Sequence, residues 1–304
     1  MQQYSVELQR FLFLVGERNP LQKKYIKAQM QNLIDDEIIC LDGLVNFYCS
    51  LGYSVEKIAE SYLKFLQDMM EETLYFRKHG HYRHKALNEV ENDVYFNQEY
   101  MTSYMIGMAV STYLLKYHME CIRQFRAFIR GKTGRYLEIG PGHGEQVYTA
   151  LRYADLQECT VIDLSPTSIE LTQKYLEFKG KRGEIKMLDG KFLCENFLEF
   201  TPSYPYDLIV MSAVIEHTEN PNLFLRKIYE VTDENSLVYM TAAVNTPARD
   251  HIYLFSSADE VIAMVKEAGF SVESCHMGTH NQKSVEEAVM LREPVRVSLT
   301  LKQS

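Results

Sequence analysis

The feature that most constrains this chain is a short apolar run that stops at a cluster of glycines. Tyr136–Ile139 has the composition of a buried strand, and Gly140, Gly142 and Gly144 follow it. Glycines allow backbone angles that a β-carbon forbids, and they let the backbone approach a ligand closely. Glu145–Tyr153 can then form the first turns of a helix. A strand, a glycine turn and a helix in this order indicate an α/β protein that brings backbone N–H groups to a bound nucleotide.

Three later segments continue the pattern of buried strands, and the first two end in an acid. Asp163, the acid that ends the first segment, follows the glycine turn at close to the spacing of roughly 20 residues that is expected for a ribose-binding carboxylate. The third segment leads into a Glu-His pair and an Asn-Pro pair that can open a helix. The segments are Cys159–Asp163, Glu184–Asp189 with Gly190, and Tyr206–Ser212, the last followed by Glu216-His217 and Asn220-Pro221.

Together these motifs resemble those of class I S-adenosylmethionine (SAM) methyltransferases. The resemblance rests on Glu-Ile-Gly-Pro-Gly-His-Gly, on the acids Asp163 and Asp189, and on Tyr-Asp-Leu-Ile-Val followed by Glu-His and Asn-Pro. It covers residues 131–304. It implies an α/β fold with a doubly wound, mostly parallel seven-stranded sheet, whose final strand is antiparallel and lies between the fifth and the sixth. The motifs are specific for the fold and not for a substrate.

The remaining pattern predicts two domains. Residues 1–130 have helical apolar spacing, as at Val55, Ile58 and Tyr62, and Gly131–Gly134 then breaks the helix. We predict an all-helical N-terminal cap or lid domain over 1–130 and a SAM-binding Rossmann-like domain over 131–304. Residues 279–293 are polar and then helical. The predicted helices are about 55–79, 98–129, 145–154, 166–179, 221–232 and 257–268, and the predicted strands about 135–139, 159–163, 184–188, 206–212, 236–244, 270–277 and 294–301.

SAM offers an ammonium carboxylate, a sulfonium and an adenosine to its protein. Glu138 is expected on the ammonium, because a carboxylate inside a buried strand needs a partner. Asp163 is expected to accept both ribose hydroxyls. The resemblance implies that Asp189 and Gly190 meet the adenine amine, although an ordinary Asp-Gly turn is an alternative there. The predicted cofactor residues are Glu138, Gly140, Pro141, Gly142, Gly144, Asp163, Leu164, Asp189, Gly190 and Ser212.

Polar residues after the fourth and fifth strands are the catalytic candidates. His217 follows the fourth strand, and an imidazole can take a proton from a nucleophile at neutral pH. A polar residue that fixes the loop by hydrogen bonds is the alternative. Asp250 and His251 (catalytic) and Tyr253 (substrate-binding) follow the fifth strand, where a loop can line a substrate pocket. His217, Asp250 and His251 could together hold a metal, but no Cys or His spacing requires one, and we predict none.

Tyrosines of the N-terminal region are candidates for a lid over the sulfonium. Aromatic faces attract a cation, and a closed lid would exclude water. Tyr104 is the catalytic candidate, and Tyr95, Tyr100 and Tyr113 are substrate-binding candidates. Helical Tyr and Met stripes more commonly form a core. A homodimer interface is a further alternative for these helices.

Composition limits the partners. A net charge of −9 argues against nucleic acid or an anionic membrane as the main partner. The six cysteines show no Cys-x-x-Cys spacing and are predicted to be reduced thiols of a cytosolic protein. The sequence shows neither a signal peptide nor an apolar stretch long enough for a bilayer. We therefore expect a cytoplasmic protein with a small-molecule substrate.

The expected activity is SAM-dependent methyl transfer to a small organic acceptor. Direct displacement at the sulfonium can be driven mainly by positioning, which can supply roughly 7–11 kcal/mol, so a strong general base is optional. One alternative keeps the cofactor but attacks the aminocarboxypropyl arm of SAM, in transfer or cyclisation, and releases methylthioadenosine. A second alternative is a non-catalytic SAM-binding or scaffold protein.

Overall fold

The computed structural model describes residues 4–279 and 283–304. The chain divides into two compact units, Met1–Asp68 with Gln98–Gln124 and Met69–Asn97 with Phe125–Ser304. Residues 69–97 and 125–130 therefore belong to the same compact unit as the segment that the sequence assigns to the SAM-binding domain. The cap role predicted for residues 1–130 concerns function and stays a proposal.

The N-terminal region is helical, as predicted. Two of its helices begin at caps that the sequence supplies, since the side chain of Ser5 accepts from the Leu8 N–H (3.1 Å) and that of Asn19 from the Gln22 N–H (3.3 Å). Proline at the first position of the second helix suits its start. The helices are α1 (Val6–Arg18), α2 (Pro20–Asn32), α3 (Asp35–Ser50), α4 (Val55–His79), α5 (Gln98–Leu114) and α6 (Lys116–Ile129).

The single helix predicted over 98–129 is wrong, because the structure interrupts it at Leu115. The backbone N–H of Lys116 donates to the hydroxyl of Tyr25 (3.0 Å), so a tertiary contact takes the place of a step in the helical ladder. Among the described residues no single helix is long and apolar enough to cross a membrane. One bent pair, α3 with α4, meets the length and composition criteria together.

The first unit is held by close helix contacts and one buried ion pair. A β-carbon on Gly107 of α5 would lie 2.6 Å from the Ser61 carbonyl oxygen of α4, so only glycine permits this approach. Glu37 of α3 is fully buried, and Arg123 of α6 donates to both of its carboxylate oxygens at 2.6 Å. Such a two-point charged contact fixes orientation as well as charge.

A seven-stranded sheet organises the second unit, as predicted. Its order is β3-β2-β1-β4-β5-β7-β6, with β7 antiparallel to both neighbours and the other pairs parallel. The order reverses between β1 and β4, and ligands of such sheets bind at that point, outside the carboxyl ends of the strands. The strands are β1 (Thr133–Ile139), β2 (Asp155–Asp163), β3 (Gly190–Cys194), β4 (Leu208–Ser212), β5 (Leu237–Val244), β6 (Phe270–Thr279) and β7 (Val295–Gln303).

Helices connect the strands close to the predicted positions, and an apolar core of residues from the sheet and its helices, such as Leu137, Ile209 and Leu225, is fully buried. The last helix lies in the polar stretch 279–293, of which residues 280–282 are outside the described residues. The helices are α7 (Glu145–Tyr153), α8 (Pro166–Lys181), α9 (Pro221–Glu230), α10 (Ala258–Glu267) and α11 (Val285–Met290).

The third strand does not lie where the sequence predicts it. Residues 184–188 form no strand, and β3 begins at Gly190 instead. Glu184 is held at the end of α8, where it accepts from Lys179 Nζ (2.8 Å) and Arg182 Nε (2.7 Å). Met187 covers Gly180 of the same helix, whose β-carbon would lie 2.6 Å from its Cγ. The segment 184–188 therefore contacts the helix end rather than pairing with β2.

Candidate active site

The glycine turn after β1 has the backbone conformation that only glycine adopts readily. The φ angles of Gly140, Gly142 and Gly144 are 68°, 58° and 86°. A β-carbon on Gly140 would lie 2.5 Å from Cγ2 of Val214, so the space is also closed to any side chain. Gly144 caps the start of α7, where the first backbone N–H groups have no partner inside the helix. With the buried Pro141, these residues form a cradle with no room for further side chains, next to the N–H groups at the start of α7.

Glu138, the last but one residue of β1, is a buried acid with an unsatisfied oxygen. The hydroxyl of Tyr136 donates to its Oε2, while Oε1 has no hydrogen-bond partner among the residues that the structure describes. Burial raises the pKa of Glu138 to about 8, and the bond from Tyr136 offsets only part of that rise. A buried carboxylate oxygen without a partner is costly, and an ammonium group is the ligand that would satisfy it.

Asp163 ends β2 and is held in place by the start of α8. Its Oδ1 accepts from the Ser165 N–H (2.8 Å) and its Oδ2 from the Ser168 hydroxyl (2.7 Å). Burial raises the pKa of Asp163, and these hydrogen bonds counteract it. The cap of α8 itself is Ser165. A carboxylate held this way keeps acceptor capacity on both oxygens, which suits a pair of ribose hydroxyls.

The placement of Asp189 and Gly190 at the carboxyl end of the third strand is wrong. Gly190 pairs with Cys159, so the two residues lie at the start of β3, at the opposite edge from Asp163. The residue beside Asp163 is Cys194, and the Glu195 N–H donates to the Asp163 carbonyl (3.1 Å). Glu195 is therefore the acid that the fold brings to the position expected of Asp189. The carbonyl of Leu164 faces this edge too, where it accepts from Cys194 Sγ (3.7 Å).

The ends of β4 and β5 carry two strained residues. Ala213 and Asn245 have φ angles of 52° and 50°, a region that non-glycine residues rarely adopt. The N–H of Ala213 donates to Thr241 Oγ1 of β5 (2.9 Å), which holds the turn. The hydroxyl of Ser212, a predicted cofactor residue, accepts from Gln146 of α7 (2.9 Å). Such strain often accompanies a functional site, and here it re-aims the chain after both strands.

The loops that follow these strands meet the segment 82–95 in a group of polar side chains. His217, Asp250 and His251 were predicted as catalytic residues and Tyr95 as a substrate-binding residue. The fold adds an acid and a second tyrosine. We call this group the polar cluster, and it consists of Tyr82, Tyr95, Glu216, His217, Asp250 and His251.

One half of the polar cluster is built around His217. Its Nδ1 lies 3.0 Å from the Asp250 carbonyl oxygen, 3.1 Å from the Tyr95 hydroxyl and 3.4 Å from Asp250 Oδ2. The side chain of His217 is 18% exposed and that of Asp250 is 6% exposed. A ligand outside the strand ends can therefore reach His217, while Asp250 supports it from behind.

The other half of the polar cluster is buried. His251 Nδ1 lies 2.6 Å from the Thr246 carbonyl oxygen, and its ring meets that of His217 at right angles with centroids 4.7 Å apart. The Tyr82 ring lies 5.7 Å from that of His251. Glu216 is fully buried, and its backbone carbonyl accepts from the N–H groups of residues 252 and 253. This pairing fixes the loop after β5 against the turn after β4.

Electrostatics divide the members of the polar cluster. Burial raises the pKa of Glu216 to about 7, only partly offset by the charge of His217. Burial alone would lower the pKa of His217, but the carboxylates of Asp250 and Glu216 outweigh it and raise that pKa. Burial and the charge of His217 lower the pKa of His251 to about 3, so this imidazole is neutral at physiological pH.

The polar cluster and Asp163 lie at the same edge of the sheet. The hydroxyl of Ser165 donates to the Tyr95 carbonyl (3.3 Å), which ties the segment 82–95 to the start of α8. The charge of His217 opposes the rise that burial causes in the pKa of Asp163, so the two side chains lie close enough to interact electrostatically. The sheet edge thus joins a cradle with acids on one side to the polar cluster on the other.

Tyr253 and the tyrosines of α5 have contacts of their own within their units. The Tyr253 hydroxyl donates to Glu260 of α10 (3.2 Å), and its ring packs on Phe255. Within the first unit, Tyr113 is fully buried, and Tyr104 stacks on Tyr100 with centroids 5.9 Å apart. The roles predicted for these tyrosines remain predictions.

Sequence reasoning missed Glu216 and Tyr82 as members of the site. Glu216 was noted only as the residue before His217, and Tyr82 stands in a His-rich segment between helices. The signal for Glu216 was an acid four residues after a buried strand and directly before a histidine. Tyr82 has no local signal, because its contact with His251 joins distant parts of the chain.

The fold and the site define a class I SAM-dependent methyltransferase superfamily member. A family model described as a methyltransferase domain matches residues 114–275, more than half of the chain, and the chain belongs to that family. The family uses SAM, and the cradle that a β-carbon would fill and the orphaned oxygen of Glu138 fit that cofactor.

Solved structures of methyltransferases resemble this chain. The mitomycin 7-O-methyltransferase MmcR is 13% identical, with 82% of this chain and 72% of that chain covered and a TM-score of 0.53. The N-methyltransferase NodS from Bradyrhizobium japonicum WM9, in complex with S-adenosylhomocysteine, is 15% identical (62% and 88% covered, TM-score 0.46). A SAM-dependent methyltransferase from Thiobacillus denitrificans, also with S-adenosylhomocysteine, is 15% identical (61% and 91% covered, TM-score 0.44). At such identities the likeness to MmcR shows the fold alone.

Proposed function

We propose that this chain is an enzyme that transfers a methyl group from SAM to a small-molecule acceptor, and that the polar cluster receives the acceptor. The observation that carries the proposal is the contact of Tyr95 and Asp250 with His217, at the same sheet edge as Asp163. A polar group that is partly exposed and supported from behind is what an acceptor-binding site requires.

On the cofactor side, the chain binds and orients. Glu138 Oε1 would hold the ammonium group, the glycine turn the carboxylate, and Asp163 the ribose hydroxyls. When bound, SAM supplies an electrophilic methyl group on its sulfonium. Glu195 replaces Asp189 as the residue proposed near the adenine, because it follows the carboxyl end of β3.

On the acceptor side, the chain positions a nucleophile and its proton. The Asp250 carbonyl holds Nδ1 of His217 at 3.0 Å, which leaves Nε2 for the acceptor side. The Tyr95 hydroxyl offers a second polar contact at the same place. Positioning of this kind can supply roughly 7–11 kcal/mol, so the polar cluster has to accept a proton but need not be a strong base.

The N-terminal helices are proposed as the cap that excludes water from the site. Tyr100 and Tyr104 lie on one side of α5, are half-buried and are stacked on each other. Aromatic faces of this kind attract cations, and water exclusion protects a reactive sulfonium.

The experiment is a transfer assay with SAM labelled in its methyl group. Purified protein is incubated with the labelled cofactor and a cell extract split by ultrafiltration into small-molecule and macromolecular fractions. Label in a small molecule, with S-adenosylhomocysteine as the adenosyl product, is the expected result. A matched reaction with Asp163→Ala protein should lose both products together.

Each other outcome contradicts a different part of the proposal. Methylthioadenosine as the product would mean attack on the aminocarboxypropyl arm. Label in the macromolecular fraction would exclude a small-molecule acceptor. Tight SAM binding with neither product, over the whole set of fractions, would leave a binding protein without turnover.

A further inference from the structure

Three potential metal ligands converge in the polar cluster. One ligand atom each from Glu216, His217 and His251 lies within 4.8 Å of the other two. The residues come from two loops, after β4 and after β5, so the convergence is a product of the fold. Two imidazoles and one carboxylate are the ligand set that catalytic zinc and non-haem iron sites use.

The carboxylate of Glu216 is buried, and its hydrogen-bonding capacity is poorly satisfied. The residue is fully buried, and neither of its oxygens accepts a hydrogen bond of normal geometry within residues 4–279 and 283–304, although the N–H groups of Glu216 and Ala243 lie close enough to oppose the rise in its pKa. A buried carboxylate without such hydrogen bonds is expensive unless a proton or a cation neutralises it. This is a second observation, independent of the spacing of the three ligands.

Both histidines are already oriented as metal ligands usually are. Nδ1 of His217 lies 3.0 Å from the Asp250 carbonyl oxygen, and Nδ1 of His251 lies 2.6 Å from the Thr246 carbonyl oxygen. A carbonyl oxygen can only accept, so each Nδ1 donates a proton, and a metal ion would bind the Nε2 lone pair of each ring in its neutral form. Metal-binding histidines almost always donate their other ring N–H to a carbonyl or carboxylate in this way.

We propose that Glu216, His217 and His251 bind one divalent transition-metal ion, with zinc as the reference ion. Two nitrogen ligands favour such an ion over magnesium or calcium, which prefer oxygen. Three protein ligands leave coordination positions open for water or for an oxygen atom of the acceptor. In the metal-bound form the ion, and not Nε2 of His217, would contact the acceptor, a consequence that rests on the proposed function.

The competing arrangement is a network without metal, in which Glu216 keeps a proton. Both Tyr82 and Asp250 lie close to Glu216, since the charge of Asp250 helps to raise the pKa of Glu216, and the charge of Glu216 helps to raise the pKa of Tyr82. In that arrangement the site needs no cation, and added metal finds no defined place. The two arrangements therefore differ in metal binding itself, whatever the enzyme transfers.

The test is a titration of untagged, chelator-treated and desalted protein with zinc chloride in an isothermal calorimeter. The expected result is binding of one ion per chain. Glu216→Gln and His251→Ala should each weaken binding at least about tenfold, a loss that even supporting residues of metal sites can cause. The matched control is His276→Ala, which removes an exposed histidine of β6 and should leave binding unchanged.

A second measurement protects the test against variants that fail to fold. Thermal unfolding without metal shows which variants are folded, and the wild-type protein is loaded with cobalt(II) to report its ligands by absorption. A spectrum of a four- or five-coordinate site with nitrogen ligands supports the proposal, and a spectrum of hydrated cobalt overturns it. Absence of zinc binding, or equal zinc binding by folded Glu216→Gln and His251→Ala proteins, overturns it too. Metal binding without methylated product would contradict the proposed function and leave the metal site standing.

Discussion

The glycine turn and the polar cluster lie at the same sheet edge but are built in opposite ways. The turn is one contiguous stretch of backbone, and positive φ angles and close contacts shape it. The polar cluster is made of buried and half-buried side chains from three separate segments, and hydrogen bonds to carbonyl groups hold it. The turn should therefore be sensitive to any added atom, and the cluster to any lost polar group.

The largest expected effect concerns Glu138, which lies two residues before the first glycine of the turn. Its pKa is raised to about 8 in the folded protein, against an ordinary value of 4.5. The unfolded chain therefore releases this proton at lower pH, and stability is lost as pH rises from about 4.5 through about 8. We therefore expect the free energy of unfolding of Glu138→Gln, relative to that of wild type, to be roughly 3–5 kcal/mol higher at about pH 9 than at about pH 5.

Urea unfolding of both proteins without cofactor, at the two pH values, measures this difference. Saturating SAM should reduce it, because an ammonium partner would favour the ionised carboxylate of the wild type. An equal difference at both pH values would mean that Glu138 is not the buried acid described here.

The next effect breaks the turn itself. Gly140→Ala combines an unfavourable positive φ angle with a contact of 2.5 Å to Val214, and should destabilise the protein by about 2–4 kcal/mol. The control is Gly183→Ala, whose φ angle is 72° but whose β-carbon would meet nothing within 4 Å. Denaturant unfolding should show a much smaller loss for the control, and adding Val214→Ala should recover part of the Gly140 loss. Similar losses in both single variants would assign the whole effect to backbone strain.

The third effect should separate the two regions kinetically. His251→Ala removes the buried ring that packs against His217 and should lower turnover about 100-fold, the lower end of what the proton-handling residue that it positions would contribute. SAM affinity, measured by calorimetry, should change little, because His251 lies in the loop after β5. A parallel fall in both quantities would place His251 in the cofactor site or in the fold.

The fourth effect is the converse. Asp163→Ala should weaken SAM binding about ten- to a hundredfold, because lost hydrogen bonds to a charged acceptor cost roughly 1.5–3 kcal/mol. The variant should stay folded, since Ser165 still caps α8. Asp189→Ala is the matched control, and its SAM affinity should equal that of wild type because β3 begins beyond it. Unchanged affinity in a folded Asp163→Ala protein would remove Asp163 from the cofactor site.

The smallest effect tests the cap. Tyr104→Phe keeps the ring that stacks on Tyr100 and packs beside Phe65, so stability should change by less than about 1 kcal/mol while turnover falls a few-fold. Tyr104→Ala should lower both SAM binding and turnover. Size-exclusion chromatography distinguishes the alternative, since a dimer that becomes monomeric with unchanged SAM affinity would make this face a subunit interface.

The β3 error shows where sequence reasoning stops. The segment 184–188 has the length of a strand and apolar residues at 185, 187 and 188, and an Asp-Gly pair follows it as a turn would. The structure uses Glu184 to hold the end of α8 through Lys179 and Arg182, which moves the paired segment to Gly190–Cys194. Such a choice depends on which of two segments gains more from its tertiary contacts, and local pattern does not contain that comparison.

The sequence by itself determined the order of strands and helices, the glycine turn and the acid that ends β2, because these depend on local backbone geometry and on period. Tertiary structure alone decided that residues 69–97 belong to the second unit, that Tyr95 meets His217 and that Glu216 lies buried beside two oriented imidazoles. The physical reason is desolvation. The charge state and the partners of a buried polar group depend on everything packed around it, and here those neighbours come from distant parts of the chain.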